Sequence, residues 1–192
     1  MKRFMMFILT AAMCLALAAC AKEAADRDTA DEETEEEYHY QAEDMENGTA
    51  FGSFVSVDLE GNEVTEDIFA DKDVTILNVW ATYCGPCLNE MPELGRLSEE
   101  LPDNAQIIGM VIDVTEGDSE MIATAKEICE DNRISYTNIV LTDSVLEALT
   151  AVQAVPTTFI LDSSGKTVCR PIVGADVNSY EEAVREYLGP GE

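Results

Sequence analysis

The chain has 192 residues, with 39 acidic against 11 basic side chains and a formal net charge of −28. A surface this acidic is repelled by phosphate, which argues against nucleic acid as a partner and against lying flat on anionic lipid. The length allows one domain plus a leader and a linker, and six cysteines are too few for a disulfide scaffold.

Residues 1–20 read as a targeting segment. Lys2 and Arg3 form a short positive region. Phe4 to Ala16 is an apolar run of about thirteen residues, too short to span a bilayer comfortably. Leu17-Ala18-Ala19-Cys20 follows, and it resembles the lipobox of bacterial lipoproteins. That resemblance implies lipidation of Cys20 and anchorage to a bacterial membrane. The alternative is an ordinary signal peptide in which Cys20 is incidental. Either reading exports the chain to a disulfide-permissive, extracytoplasmic compartment. Residues 21–50 are rich in Asp and Glu, as in Asp31-Glu32-Glu33-Thr34-Glu35-Glu36-Glu37, with few large aliphatics. Such a segment self-repels and buries too little to fold, so a disordered linker is expected. A metal-binding tract around His39 is the sharper alternative to a solvated spacer.

The composition changes at Phe51, and residues 51–192 are expected to form the folded domain. Phe51, Val55 and Val57 fall in a strand, and Asp58-Leu59-Glu60-Gly61-Asn62 is a turn. Val64 to Phe69 suggests a short helical turn. Val74 to Trp80 is almost continuously apolar, as a central strand covered on both faces would be. Leu88 to Leu101 has a helical pattern, and Gln106 to Asp113 is again nearly all apolar. Ser119 to Asp131 places Met121, Ile122, Ala125, Ile128 and Cys129 on one helical face. Tyr136 to Leu141 reads as a strand and Asp143 to Val152 as a capped helix. Thr157 to Leu161 and Lys166 to Ile172 flank Asp162-Ser163-Ser164-Gly165, a hairpin signal. Asp176 to Leu188 closes the chain as an amphipathic helix. Strands alternating with helices, then a hairpin and a last helix, predict an α/β fold with a mixed sheet.

Chemistry concentrates where the central strand meets the first helix, at Trp80-Ala81-Thr82-Tyr83-Cys84-Gly85-Pro86-Cys87. A C-x-x-C pair serves either redox or zinc. A structural zinc site takes four ligands; here there is no second C-x-x-C and no histidine in the folded part. Redox exchange needs only two thiols one helical turn apart. A helix N-terminus favours an anion, and therefore a thiolate. Cys84 is expected to be the exposed nucleophile and Cys87 the more buried resolving thiol. Gly85 permits the tight entry, and Pro86 sits in the first turn, where its missing N–H has no cost.

This string resembles the active-site stretch of thioredoxins. The wider pattern, from Phe51 to Leu188, resembles the TlpA/ResA-like extracytoplasmic thiol–disulfide oxidoreductases. The resemblance implies a thioredoxin-like fold, with a central mixed sheet flanked by helices, an N-terminal strand extension and a TlpA-type helix–strand insertion between about Asp113 and Leu141. Pro92 matches the proline that kinks the active-site helix. Val155-Pro156-Thr157 matches the cis-proline loop, which would put Val155 and Pro156 beside the thiols as a substrate-binding wall, with Trp80, Tyr83, Gly85 and Pro86 completing the contact surface. Pro156 as an ordinary trans strand-entry proline is the alternative. Glu90 falls where the TlpA/ResA-like branch carries an acid that exchanges a proton with Cys87; an exposed helix glutamate is the alternative.

Two positions depart from cytoplasmic thioredoxins. Asn78 stands where those carry a buried Asp, in keeping with the TlpA/ResA-like branch, and it shifts acid–base work towards Glu90. Tyr83 replaces the usual Trp before the first Cys and keeps an aromatic contact surface. Of the remaining cysteines, Cys14 leaves with the leader. Cys129 reads as a buried inert thiol and Cys169 as part of a late edge strand. A Cys129–Cys169 bridge would require their Cα atoms within about 7 Å.

The function implied is reduction of disulfides in exported proteins by a monomeric, membrane-tethered enzyme. It would need no cofactor beyond the Cys84–Cys87 pair and would be recharged by a membrane electron donor of the CcdA type. One alternative is a peroxiredoxin-like antioxidant enzyme, although Thr82 is one residue too close to Cys84 for the peroxidatic pattern and lacks its proline. The other is a Sco-like copper-delivery module, whose distant His is matched only by His39.

Overall fold

A computed structural model describes residues 45–189. The leader, Cys20, His39 and residues 21–44 of the acidic linker lie outside the described residues.

The fold begins slightly before Phe51. Met45 is buried in the core, the Gly48 N–H donates to the Thr167 carbonyl (2.6 Å), and Ala50 bridges Lys166. Residues 45–50 therefore belong with the domain rather than with the linker. Strands β1 (Val55–Val57) and β2 (Glu63–Thr65) pair as a small antiparallel hairpin around the Asp58–Asn62 turn. Val64 points inward by strand alternation, so only Glu66–Asp71 forms the expected helical turn, a 3-10 turn capped by Thr65.

The main sheet has five strands: β3 (Val74–Trp80), β4 (Ala105–Thr115), β5 (Asn138–Leu141), β6 (Thr157–Asp162) and β7 (Ile172–Val173). Their order is β5-β4-β3-β6-β7. The β3–β4 and β4–β5 pairs are parallel, and the β3–β6 and β6–β7 pairs are antiparallel. Helix α1 (Gly85–Glu100) connects β3 to β4, α2 (Ser119–Asp131) connects β4 to β5, α3 (Asp143–Ala148) follows β5, and α4 (Val177–Leu188) ends the domain. This is the thioredoxin-like layout that the resemblance implied, with α2 and β5 supplied by the extra segment.

All seven residues of β3 are buried, because both faces of the sheet are covered. On one face, Val74 and Ile76 pack with Leu94 and Leu97 of α1 and with Val177, Tyr180 and Val184 of α4. On the other, Leu77 and Val79 meet an aromatic cluster. Within it, Phe51 stands edge-on to Phe54, Phe69 and Phe159, with ring centroids 6.3, 5.9 and 5.4 Å away. Edge-to-face contact suits the ring quadrupoles and fills the space under the sheet.

Some elements are shorter than the sequence pattern predicts. Helix α3 stops at Ala148 rather than Val152: the Leu149 N–H meets both the Val145 and Leu146 carbonyls, which tightens and closes the last turn. The expected strand Lys166–Ile172 is reduced to bridges at Lys166 and Thr167 and the two residues of β7. Pro171 has no N–H to give a ladder, and Cys169 lies in a bend rather than an edge strand.

Gly109 of β4 is fixed by a close approach. A Cβ there would lie 1.8 Å from Asn138 Oδ1 and 3.2 Å from Trp80 Nε1. Those two atoms make the buried bond that anchors the end of β3, Trp80 Nε1 donating to Asn138 Oδ1 at 3.0 Å. Gly109→Ala is expected to cost about 3 kcal/mol by overpacking. The loss is read from the urea midpoint, together with a red shift of the single tryptophan's emission.

Candidate active site

Strand β3 delivers Trp80, the turn Ala81–Tyr83 reverses the chain, and Cys84 becomes the N-cap of α1. Gly85 and Pro86 fill the first helical positions, so Cys87 falls one turn in. The two cysteines form a disulfide, with Cα atoms 5.3 Å apart. The Cys87 backbone N–H donates to Cys84 Sγ at 3.2 Å. That bond satisfies a helix amide which otherwise lacks a partner. In the reduced protein the same amide, aided by the helix dipole, would favour a Cys84 thiolate.

Cys84 is less exposed than expected, at 6 % against 1 % for Cys87. The reason is the wall opposite. The Val155–Pro156 peptide bond is cis, and the Val155 carbonyl oxygen stands 3.4 Å from Cys84 Sγ. The loop is pinned by the Thr157 hydroxyl, which donates to the Ala154 carbonyl (2.8 Å). Gly85, Pro86 and Tyr83 are exposed around the disulfide, Tyr83 at 74 %. Trp80, expected to join the contact surface, is 1 % exposed. It lies beneath the site as a support, because its indole N–H is committed to Asn138.

Glu90 is buried, so the exposed-glutamate alternative falls. Asn78 Nδ2 donates to its Oε1 (2.9 Å), and the Tyr180 hydroxyl approaches its Oε2 (3.0 Å). Asn78 also donates to Thr158 Oγ1 at 3.0 Å. Burial pushes the Glu90 carboxyl up to about 6, and the nearby Glu93 and Asp176 charges push the same way; the bonds from Asn78 and Tyr180 oppose the rise. Glu90 lies three residues beyond Cys87 on α1, on the same helix face. An acid titrating near neutrality behind a dithiol can take or give the proton that thiol exchange moves. Pro92, inside α1, cannot donate to the Leu88 carbonyl one turn back.

Asp113, at the end of β4, is a positioning residue that residue patterns did not single out. Its carboxylate accepts the Thr82 N–H (3.0 and 3.1 Å) and the Thr82 hydroxyl, fixing the turn that presents Tyr83 and Cys84. The sequence signal was slight: an acid within an otherwise apolar strand. Tyr180 was also missed, since a tyrosine on an amphipathic helix reads simply as core.

Cys129 and Cys169 are both free thiols. Cys129 packs with Trp80 and Val111, whereas Cys169 packs against the cluster around Val74 and Ile160. The possible bridge is thus absent, because the two side chains sit in separate parts of the core. Burial, with the Glu60 and Glu130 charges, pushes the Cys129 thiol up to about 12, which keeps it protonated and unreactive. Among the described residues no group of His, Cys, Asp and Glu is placed to hold a metal ion.

The model of the AhpC/TSA family matches residues 47–168. The thiol-disulfide oxidoreductase ResA of Bacillus thuringiensis subsp. konkukian is 29 % identical over 151 residues, covering 79 % of this chain and 82 % of that protein. ResA of Geobacillus thermodenitrificans is 31 % identical over 143 residues, covering 72 % and 78 %. Among solved structures, the thioredoxin domain of a thiol-disulfide oxidoreductase from Bacteroides vulgatus superposes with a TM-score of 0.63 at 21 % identity, covering 76 % of this chain and 99 % of that one. StoA from Bacillus subtilis gives 0.55 at 17 %, covering 69 % and 96 %. The solved structures bear on the fold.

The raised Glu90 pKa has a thermodynamic consequence. Between its ordinary 4.5 and about 6, the folded state holds a proton that the unfolded chain has released. This contribution to stability is complete below the unfolded value and is lost as pH rises through about 6. Glu90→Gln should therefore flatten the fall in stability across that window by about 1 kcal/mol, read from urea unfolding at a series of pH values. A variant curve parallel to the wild type would contradict the assignment.

Proposed function

The chain belongs to the AhpC/TSA family, and from that premise we propose that it is a ResA-type thiol–disulfide oxidoreductase that reduces disulfides in exported proteins. The observation that carries the reading is the Cys84–Cys87 disulfide at the α1 N-terminus, facing the Val155–Pro156 wall. The ResA relatives cover most of this chain and are named for the same activity.

In the reduced state, the Cys84 thiolate attacks one sulfur of a substrate disulfide. A mixed disulfide forms on Cys84, and the leaving thiolate takes a proton from solvent. Glu90, as carboxylate, then takes the proton of the Cys87 thiol. The Cys87 thiolate attacks Cys84 Sγ, closing the intramolecular disulfide and expelling the second substrate thiolate, which takes up a proton in turn. Two electrons have moved from the dithiol to the substrate. Reduction by an incoming dithiol runs the same steps backwards and readies the site again. Tyr83, Gly85 and Pro86 offer an exposed surface on one side, and the Val155 loop offers backbone for an extended substrate segment on the other.

In this reading the chemistry takes place outside a bacterial cytoplasm, with Cys20 as the lipid anchor and the acidic segment as a tether. A membrane dithiol donor of the CcdA type is the fitting source of electrons. Supporting this reading are the apolar run, the Leu17-Ala18-Ala19-Cys20 string and the need for a reductant where disulfides accumulate.

Cys87→Ser should accumulate a covalent Cys84 adduct with a disulfide-bearing peptide, seen by non-reducing electrophoresis and mass spectrometry. Cys84→Ser should form none and lose at least about a thousandfold in reductase rate; trapping by Cys84→Ser instead would reverse the roles. The potential should lie towards the reducing end of the range, about −200 to −270 mV, whereas a value near −120 mV would make the protein an oxidant. Cys20→Ser should move the protein from the membrane fraction to the soluble fraction.

A further inference from the structure

The Tyr180 hydroxyl has one proton and two acceptors. Its Oη lies 3.0 Å from Glu90 Oε2 and 2.9 Å from the Gly174 carbonyl oxygen. It also accepts the Asp176 N–H at 3.2 Å, and the Thr158 hydroxyl faces it. Burial pushes the phenol up to about 12, so it keeps its proton across the working pH range. A phenol donates one hydrogen bond at a time, so only one of the two acceptors is served.

Which one is served depends on Glu90. An ionised carboxylate is the stronger acceptor and draws the phenol proton to Oε2. A protonated Glu90 donates its own O–H to Oη in place of the Thr158 hydroxyl, and the phenol proton turns to the Gly174 carbonyl. Gly174 in turn donates its N–H to the Pro156 carbonyl at 2.8 Å. It directly follows β7, whose Val173 pairs with Thr157. A continuous hydrogen-bonded path therefore runs from the acid behind Cys87, through α4, to the loop whose Val155 carbonyl faces Cys84.

We propose that Tyr180 is a positioning residue, a two-position hydrogen-bond switch that couples the proton on Glu90 to the Val155–Pro156 wall. The proposal rests on Glu90 being the proton carrier. When Glu90 takes the Cys87 proton, the phenol turns to Gly174 and secures the wall while the mixed disulfide is being resolved. When Glu90 releases that proton, the phenol returns and the wall loosens as product leaves. The titratable groups facing Glu90 are Glu93 on α1, Asp176 and Tyr180 on α4, and Tyr136 ahead of β5, while Cys87 lies one helical turn before it on α1. From β3 the neutral Asn78 meets it, and the same Asn78 amide also donates to Thr158 of β6.

The test is a carbon- and nitrogen-detected NMR titration of the disulfide form, without substrate, from pH 4.5 to 8 in wild type, Glu90→Gln and Tyr180→Phe. In the wild type, the Gly174 carbonyl and the Ala175 amide nitrogen should titrate with the midpoint of the Glu90 carboxyl. In Glu90→Gln that titration should vanish. In Tyr180→Phe, the Glu90 midpoint should rise by about half a unit or more, and Gly174 should no longer follow it. A flat Gly174 signal in wild type overturns the proposal. So does a Gly174 titration surviving in Glu90→Gln, which would assign it to a group other than Glu90, or an unchanged Glu90 midpoint in Tyr180→Phe. Should Tyr180→Phe not fold, the first two proteins decide the matter alone. No turnover is involved, so a failed switch leaves the redox reading standing, and the Cys87→Ser trap tests that reading separately.

Discussion

A helix must find acceptors for its first amides, and in this protein a sulfur atom provides one. Cys84 Sγ takes the Cys87 N–H at 3.2 Å, so the group that caps the helix is the group that reacts. Capping needs Cys84 in an extended conformation just outside α1 (φ −84°, ψ 99°). That in turn needs β3 to end at Trp80 and the turn to reverse within three residues. Asp113 holds the turn through Thr82, and Asn138 holds the end of β3 through Trp80. The sheet order follows the same need, since β4 supplies Asp113 and β5 supplies Asn138. The extra segment that contributes α2 and β5 is thus part of the support beneath the disulfide.

A second constraint is the burial of Glu90. A carboxyl placed inside a domain is stable only if its oxygens find donors or a proton. Here each oxygen has one neutral donor in reach, Asn78 on β3 and Tyr180 on α4. Neutral donors leave the carboxyl free to titrate near 6, whereas a lysine or arginine in either place would hold it ionised. The choice of Asn78 in the middle of a mostly apolar strand is therefore tied to the chemistry of a residue on the next element. The same reasoning separates the reactive cysteines from Cys129. Cys84 and Cys87 sit at a helix end beside a titrating acid. Cys129 is surrounded by apolar side chains and negative charge and keeps its proton.

The Trp80–Cys87 string, read against the apolar run before it and the helical pattern after it, placed the disulfide at the strand-to-helix junction. The near-continuous apolar character of 74–80 marked a central strand, and alternation of strands and helices marked the mixed sheet. These features are local: periodicity, capping and helical spacing act over a few residues. Boundaries were less legible where long-range pairing decided them. Lys166–Ile172 has strand composition, but Pro171 leaves only a two-residue strand against β6. Val64 looked helical, yet pairing with Ser56 made it a strand residue.

The sequence by itself determined which atoms react and how the helix that activates them begins, because Cys84, Gly85, Pro86 and Cys87 are neighbours in the chain. Tertiary structure alone decided what surrounds them. Val155 is brought over Cys84 from 71 residues away, Asn78 and Tyr180 close on Glu90 from either side, and Trp80 turns inward to Asn138. Each of those contacts depends on sheet register and helix packing, and those follow from burying both faces of β3 at once.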